Sequence, residues 1–158
     1  MSHPRLTSAA LAELYAHAQR EYPKECCGLV SGPRGQDTAD RPRACRNIQD
    51  DLHAEDPVVH PRDARTAYNL GSKDLLALQR SFDSDTPVKI IYHSHVDVGA
   101  YFSATDQAAA RMEDEPTYPV EYVVIDAQVG GARGAAQFAW DAAQRAYVEV
   151  DRYPGPQT

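Results

Sequence analysis

The sequence lacks any long hydrophobic run, and no apolar stretch approaches the ~20 residues that a membrane-spanning helix needs. The N-terminal residues contain no basic segment followed by an apolar one, as a secretory leader would. Positive charge is also scarce, because 16 Lys and Arg stand against 23 Asp and Glu, for a formal charge of -7. A field of that sign disfavours nucleic acid and anionic lipid as partners. We therefore expect a soluble, cytoplasmic protein.

Cysteine is scarce as well, and the chain has only Cys26, Cys27 and Cys45. An odd number with two adjacent residues does not make a disulfide framework, and a reducing compartment is the simpler explanation. The sequence has no Cys-x-x-Cys pair, and adjacent residues of a strand point to opposite faces, so a cysteine-based zinc site is not expected. We predict that Cys26 and Cys27 are buried as small apolar residues.

The length of 158 residues and the hydrophobic content of 42% suit one domain with a single core. We assign residues 1–152 to that domain and expect residues 153–158, which are rich in proline and glycine, to form a loose tail. Helical and strand patterns alternate along the chain. They predict a mixed α/β fold in which helices pack on a central mixed β-sheet.

Periodicity and turn residues predict the elements. Helices are expected over LTSAALAELYAHAQREYP, capped by Thr7 or Ser8, over SKDLLALQRSF, capped by Ser72, and over SATDQAAARMEDE. Strands are expected over ECCGLVSG and residues 42–47, which form a hairpin, and over TAYNL, VKIIYHSH, VEYVVIDA and a closing antiparallel pair. Residues 48–64 are acidic and proline-containing without a sustained period, which indicates a functional loop.

Two histidines lie two residues apart at the end of the apolar run VKIIYHSH. Because residues i and i+2 of a strand face the same side, His93 and His95 would present both imidazoles to one point. Asp106 follows in the first turn of a predicted helix, from which its carboxylate can turn back toward the strand end. Three protein ligands with a fourth position left to water are typical of a catalytic zinc. We therefore predict one Zn²⁺ per chain at His93, His95 and Asp106.

The same residues also have a purely structural interpretation. Ser103 and Asp106 match the S-x-x-D start of a capped helix, which forms without any metal. Paired histidines after an apolar strand are commonly hydrogen-bonded edge residues. Glu25, the first residue of ECCGLVSG, lies just before the apolar part of the predicted strand and would by itself be an exposed glutamate. A metal hydrolase, however, needs such a carboxylate to take a proton from water. The combination of these elements favours the metal site.

PKECCGLVSG followed by HSHVDVGAYFSATD resembles the JAMM (JAB1/MPN/Mov34) metalloenzyme family, whose pattern is an upstream Glu, then H-x-H, seven residues and S-x-x-D. All five pattern positions match here: Glu25, His93, His95, Ser103 and Asp106. Cys27 and Gly28 resemble the small prokaryotic branch, which often also has an asparagine and an aromatic residue where Asn47 and Tyr68 stand. Val96 departs from the many members that have a loop-shaping proline after the second His.

The resemblance implies a JAB1/MPN-like fold and a zinc-dependent peptidase or isopeptidase. Such an enzyme would hydrolyse the bond after the C-terminal Gly-Gly of a ubiquitin-like or sulfur-carrier protein. Glu25 would then act as the general base, and Ser103 would donate a hydrogen bond to the oxyanion. Two alternatives stay open at this point: a non-catalytic binding or scaffold module of the same fold, and a zinc hydrolase of a small amide.

Overall fold

A computed structural model describes residues 2–156 of the chain. Within that range the elements follow one another in the order β1 (Arg5–Leu6), α1 (Ser8–Glu21), β2 (Cys27–Ser31), β3 (Thr38–Ala39), β4 (Arg41–Cys45), α2 (Gln49–Glu55), α3 (Ser72–Ser81), β5 (Val88–Val96), α4 (Ala104–Ala110), β6 (Arg111–Met112), β7 (Glu115–Pro116), β8 (Glu121–Gln128), β9 (Gly131–Asp141) and β10 (Ala146–Pro154). None of the helices in that range is long and apolar enough to cross a membrane.

The main sheet has six strands in the order β10-β9-β8-β5-β2-β4. The β5 and β8 strands run parallel, whereas the other neighbours in this sheet are antiparallel. Two short pairs, β1 with β3 and β6 with β7, lie outside it. The hairpin of β2 and β4 and the closing pair of β9 and β10 were both predicted. The predicted fold class, a mixed sheet with helices packed on it, is confirmed.

Helix α1 covers one face of the sheet. Thr7 is its N-cap and accepts a hydrogen bond from the Ala10 N–H at 3.2 Å, as the sequence predicts. Leu14, Tyr15 and Ala18 recur at helical spacing and are buried in the cluster that this helix forms with the sheet. Burial of this stripe accounts for the position of α1, because most helical stability in proteins comes from packing an apolar face.

A second buried cluster lies on the opposite face of the sheet and includes Val124, Phe138 and, from α3, Leu78. Cys26 belongs to the cluster under α1, and Cys27 belongs to this second one. The two cysteines therefore point to opposite faces and are buried, as predicted. Burial is the largest cause that raises the pKa of the Cys26 thiol to about 12, which keeps the thiol protonated.

Residues 48–64 are more regular than predicted, because α2 forms within them. Asp50 and Asp51 lie in its first turn, where carboxylates interact favourably with the positive end of the helix dipole. The Asn47 side chain accepts a hydrogen bond from the Gln49 N–H at 3.0 Å, just where the helix begins. A helix of 7 residues has only about two turns and is shorter than the roughly 11–18 residues over which a helical period is read, which explains why the pattern indicated a loop.

The helix predicted over SATDQAAARMEDE is shorter than expected. Helix α4 ends at Ala110, and the chain then forms the small β6–β7 hairpin. Acidic residues at 113–115 would lie at the negative end of a longer helix, and Pro116 would interrupt its hydrogen bonds. Glu113 adopts a φ of 57°, the left-handed conformation of a tight turn.

Two smaller predictions are wrong in detail. Ser72 is the first residue of α3 and Gly71 is its N-cap, so the serine side chain does not cap the helix. The segment TAYNL does not join the main sheet, because Leu70 forms only an isolated antiparallel bridge with Asn47. The backbone of this segment instead bonds to the Asn47 side chain.

Strand β10 continues to Pro154, beyond the predicted end of the domain. Tyr153 is buried, and its hydroxyl donates to Gln137 Oε1 at 2.6 Å and accepts from the Leu6 N–H at 3.2 Å. These bonds connect β10 to β9 and to β1. Tyr153 and Pro154 are therefore part of the sheet and not of a loose tail, while residues 157 and 158 lie outside the described part of the chain.

Candidate metal centre

The predicted site lies where the end of β5 runs beside the start of β2. In this antiparallel pair Cys27 stands opposite His93, so Glu25, two residues before Cys27, comes next to His95. His93 and His95 share one face of β5 because the side-chain period of a strand is two. The register thus brings a carboxylate from one strand to the imidazoles of the next.

His93, His95 and Asp106 direct one ligand atom each toward a common point. His93 Nε2 lies 3.1 Å from Asp106 Oδ1, and His95 Nε2 lies 3.1 Å from Asp106 Oδ2. The two Nε2 atoms are 3.3 Å apart, and the ligand atoms all lie within 4.8 Å of one another. Within residues 2–156 no other trio of His, Cys, Asp or Glu converges in this way.

Asp106 reaches this point from the first turn of α4. Ser103 is the N-cap of that helix: its hydroxyl accepts from the Asp106 N–H at 3.0 Å, and its own N–H donates to Asp106 Oδ2 at 3.0 Å. The capping interpretation is thus confirmed, and it is compatible with Asp106 as a metal ligand. The reciprocal bonds fix the orientation of the carboxylate and leave Oδ1 facing His93.

The hydrogen bonds around His95 indicate that this cluster fits a metal ion. Its Nδ1 lies 3.2 Å from the Gly99 carbonyl oxygen, which can only accept, so the ring proton is on Nδ1. His95 Nε2 then carries a lone pair that faces a carboxylate oxygen of Asp106. His93 Nδ1 is buried without a hydrogen-bond partner among the described residues, so no contact there fixes the proton of this ring. Converging lone pairs fit a divalent cation such as zinc.

Protonation states at the site agree with that fit. Burial lowers the pKa of the His93 imidazole, which favours the neutral, metal-binding form. For Asp106, burial acts in the opposite direction, but the contacts with both imidazoles and with the Ser103 N–H hold the pKa of the carboxyl well below its usual range. Neutral imidazoles and an ionised carboxylate are the forms that bind a divalent metal.

Two tyrosines pack against the histidine rings. Tyr68 stacks on His93 with ring centroids 4.4 Å apart and planes at 22°. Tyr101 meets the edge of His95 with centroids 4.8 Å apart. The family resemblance pointed to Tyr68, but Tyr101 was not predicted. The position of Tyr101 in the loop between His95 and Ser103 could have indicated that it lies near the site. These contacts restrict both imidazoles to the orientations in which Nε2 faces Asp106.

Glu25 is buried beside the cluster, contrary to what its sequence context alone would suggest. The residue is only 6% exposed, and no hydrogen bond to its carboxylate is present within residues 2–156. Burial first, and the negative charge of Asp106 second, raise the pKa of Glu25 to about 8, while the charge of Arg62 acts to lower it. A buried carboxylate with a raised pKa, lining a cleft, has the properties of a general acid or base.

A network of side-chain amides holds residues 47–69 over Glu25. The Asn47 Nδ2 group donates to the carbonyls of Glu25 and Ala67, at 3.0 and 3.1 Å, and Asn47 Oδ1 accepts from the N–H groups of Gln49 and Asn69. The Asn69 side chain in turn donates to Gln49 Oε1 at 2.7 Å. In the sequence, only the family resemblance pointed to Asn47 as a residue of interest, because the partners of its amide are set by tertiary structure.

Two clefts meet at the candidate site. The larger, of about 300 Å³, and the smaller, of about 170 Å³, are both lined by Glu25, His95 and Ser103. The loop that contains Arg62 and Thr66 forms a wall of both clefts. The site is therefore open to solvent on two sides of the same group of polar side chains.

The family to which this chain belongs follows from a comparison with models of known protein families. Residues 7–142, most of the chain, match the model described as prokaryotic homologs of the JAB domain. The chain belongs to this family. The predicted membership in the small prokaryotic branch of the JAMM enzymes is thereby confirmed, and so is the expected JAB fold.

Curated relatives of this JAB-domain protein include proteins named CysO-cysteine peptidase from Mycobacterium tuberculosis and Mycobacterium bovis. Each is 36% identical over 102 residues, which cover 64% of this chain and 61% of the relative. The match thus spans less than two thirds of those relatives' length.

Solved structures of similar fold include two solution structures. A protein from Desulfitobacterium hafniense aligns with a TM-score of 0.63 and 21% identity, covering 92% of this JAB-domain chain and 88% of its own. A protein from Salinibacter ruber aligns with a TM-score of 0.59 and 20% identity, covering 96% of this chain and 91% of its own. At such identities the likeness concerns the fold alone.

Proposed function

We propose that this chain is a zinc-dependent peptidase that hydrolyses the bond after the C-terminal Gly-Gly of a ubiquitin-like or sulfur-carrier protein. The observation that carries the proposal is the convergence of His93, His95 and Asp106 in a cleft beside the buried carboxylate of Glu25. Membership in the JAB family and the similarity to proteins named CysO-cysteine peptidase support a peptidase. The Gly-Gly terminus is taken from the JAMM resemblance.

The ligand set of the proposal is His93 Nε2, His95 Nε2 and one oxygen of Asp106. A zinc ion bound there would supply Lewis-acid chemistry, which polarises a carbonyl and makes water more acidic. Tyr68 and Tyr101 would keep the imidazoles in place, and Ser103 would keep the carboxylate in place through its backbone N–H. The chain thus holds its ligands before any metal arrives, which reduces the cost of ordering them.

Glu25 would take the proton from the attacking water and pass it to the leaving amine. Burial keeps the Glu25 carboxylate free of competing partners. It also brings the pKa of Glu25 closer to neutral pH than the pKa of an ordinary glutamate. The charge of Asp106, the second cause of the raised pKa, is offset when the ligand set holds a cation, and Glu25 is then ionised at lower pH. The ionised form is the one that can accept the proton.

Ser103 would stabilise the negative charge that develops on the carbonyl oxygen. Its Oγ already accepts from the Asp106 N–H, so the hydroxyl proton is free to be donated. The side chain is half-buried and lines both clefts beside His95. A donor in such a position acts mainly on the transition state, where the oxygen is most negative.

The test measures the rates at which the zinc-loaded protein cleaves three substrates. They are a folded carrier that ends in Gly-Gly plus a short extension, the same carrier with Ala-Ala before the scissile bond, and the free tail peptide. We expect efficient cleavage of the first only, because two glycines offer no side-chain contacts and the folded carrier must supply most of the binding energy.

Other outcomes would redirect the assignment. Equal rates on all three substrates would indicate a general peptidase. If zinc is bound and none is cleaved, the peptidase proposal fails, and assays of small amides and of carrier binding without turnover would separate the amide-hydrolase and scaffold alternatives.

A further inference from the structure

The smaller of the two clefts has a composition of its own. Its volume of about 170 Å³ is below the roughly 300–1,000 Å³ of sites for drug-sized ligands, so it suits a group the size of one amino acid. Beyond the groups that it shares with the larger cleft, which include Arg62, its walls consist of a second arginine and three apolar or aromatic residues: Arg65, Val96, Val98 and Tyr101.

Neither arginine is neutralised by the protein itself. Both are exposed, and within residues 2–156 no carboxylate lies within 4.0 Å of either guanidinium. The Arg62 Nη1 group makes only a 3.4 Å contact with the Thr66 carbonyl oxygen. This contrasts with Arg43, Arg46 and other basic residues of the chain, which form ion pairs. Two unpaired guanidinium groups beside the reacting centre of a chain with a net charge of -7 favour an anionic ligand.

We propose that the smaller cleft binds the leaving group as a single C-terminal amino acid, whose free α-carboxylate pairs with Arg62 and Arg65. The inference rests on the proposed peptidase function and narrows it. Guanidinium and carboxylate match in geometry and can form two parallel hydrogen bonds. Val96, Val98 and Tyr101 would contact the side chain of that residue, which must be small.

The reaction in this arrangement is a simple hydrolysis. The C–N bond between the last glycine and the terminal residue breaks, the oxygen of water joins the glycyl carbon, and protons from water convert the leaving nitrogen to an ammonium group. The products are a carrier ending in a carboxylate and one free amino acid. An isopeptide substrate, whose leaving lysine lies within a protein chain, has no carboxylate at this position and would also exceed the size of the cleft.

The first experiment measures kcat and KM for two carriers that end in Gly-Gly-Ala, one with a free carboxylate and one with a carboxamide. We expect the wild type to prefer the carboxylate by about 10–100-fold in kcat/KM, mainly through KM, as removal of a charge-assisted hydrogen bond predicts. Arg62→Gln should lose most of this preference and Arg62→Lys should retain part of it. Arg65→Gln should lose a smaller share of the preference for the carboxylate, because Arg62 is the one of the two arginines that lines both clefts.

Arg80→Gln is the matched control, since Arg80 is an exposed residue of α3 outside both clefts and should leave the preference unchanged. Binding of both carriers to Glu25→Gln protein, measured by calorimetry, provides a readout without turnover. Hydrolysis or binding without discrimination between carboxylate and carboxamide, or binding of neither, would overturn the inference. Carboxylate-dependent binding lost in the Glu25→Gln, Arg62→Gln protein, with no hydrolysis by the wild type, would support the cleft assignment and overturn the proposed activity.

Discussion

Ser103 serves both the fold and the proposed reaction with one hydroxyl group. As the N-cap of α4 it accepts a hydrogen bond from the backbone, and as a donor it would face the oxyanion. The two roles can be separated, because loss of a cap lowers the free energy of unfolding, whereas loss of an oxyanion donor lowers kcat.

Ser103→Ala should reduce the free energy of unfolding by about 0.5–2 kcal/mol and kcat by about 10²–10³-fold. Chemical denaturation and steady-state kinetics measure the two effects. Thr7→Ala is the matched control, because Thr7 caps α1 through the same type of bond and does not line either cleft. A Ser103→Ala protein that loses stability as Thr7→Ala does but keeps its kcat would limit Ser103 to the capping role.

Glu25 is assigned to proton transfer and not to metal binding. Glu25→Gln should therefore keep zinc bound and lose nearly all hydrolysis, because the amide has a similar shape but cannot accept the proton. Metal content and single-turnover rates measure the two properties on the same preparation. Turnover at the wild-type rate in this variant would show that another group is the base.

At the scale of elements, the site depends on the segment between β4 and α3. The Asn47 side chain bonds to four backbone groups, three in this segment and one at Glu25, two residues before β2, so it joins the loop to Glu25. Such a network stabilises the fold only while every member has a partner. A buried polar group that loses its hydrogen bond costs more free energy in desolvation than the bond contributed.

Asn47→Ala should lower the free energy of unfolding by about 1–3 kcal/mol and increase hydrogen exchange in residues 48–69 more than in α1. It should also lower kcat, since the backbone at Glu25 loses a partner. Gln79→Ala, an exposed change on α3, should have an effect within about 0.5 kcal/mol. Unchanged exchange in residues 48–69 would contradict the role given to Asn47.

The elements that could be predicted from sequence are those with strong local signals. The capped helix α1 has a clear helical period, and β5 and β8 are continuous apolar runs, so all three were found. The capping box of Ser103 and Asp106 was found as well. Helix α2 was missed because its 7 residues make only about two turns and are fewer than the roughly 11–18 residues over which a helical period is read. The helix expected over SATDQAAARMEDE ends early, because an acidic turn replaces its last part. The burial of Glu25 could not be derived from its neighbours in sequence, since it follows from strand register and from Asn47.

At the scale of the whole molecule, the site brings negative charge together inside a chain of net charge -7. Asp106 and Glu25 are both buried, and the charge of Asp106 contributes to the raised pKa of Glu25. Without a cation, this arrangement lowers the stability of the folded chain when Glu25 ionises. The pH dependence of unfolding of the chelator-treated protein reports that effect.

In chelator-treated protein, Glu25 has a pKa of about 8 when folded and an ordinary value of 4.5 when unfolded. The folded state therefore binds the proton more tightly, and the wild type loses stability as the pH rises from about 4.5 to about 8. Glu25→Gln lacks this loss, so its stability relative to the wild type should increase by a few kcal/mol across that window, of the order of ~1.4 kcal/mol per pH step. Urea unfolding at pH 5 and pH 8 measures the difference, and parallel pH profiles would contradict it.

The central claim is that His93, His95 and Asp106 hold a catalytic zinc. Elemental analysis of protein purified without chelators tests it most directly, with His95→Ala as the variant that removes one ligand and leaves the cap of α4 intact. We predict about one zinc per wild-type chain and a large loss of zinc from His95→Ala, because three protein ligands define such a site. A wild-type chain that contains no stoichiometric metal and takes up no added zinc would contradict the claim.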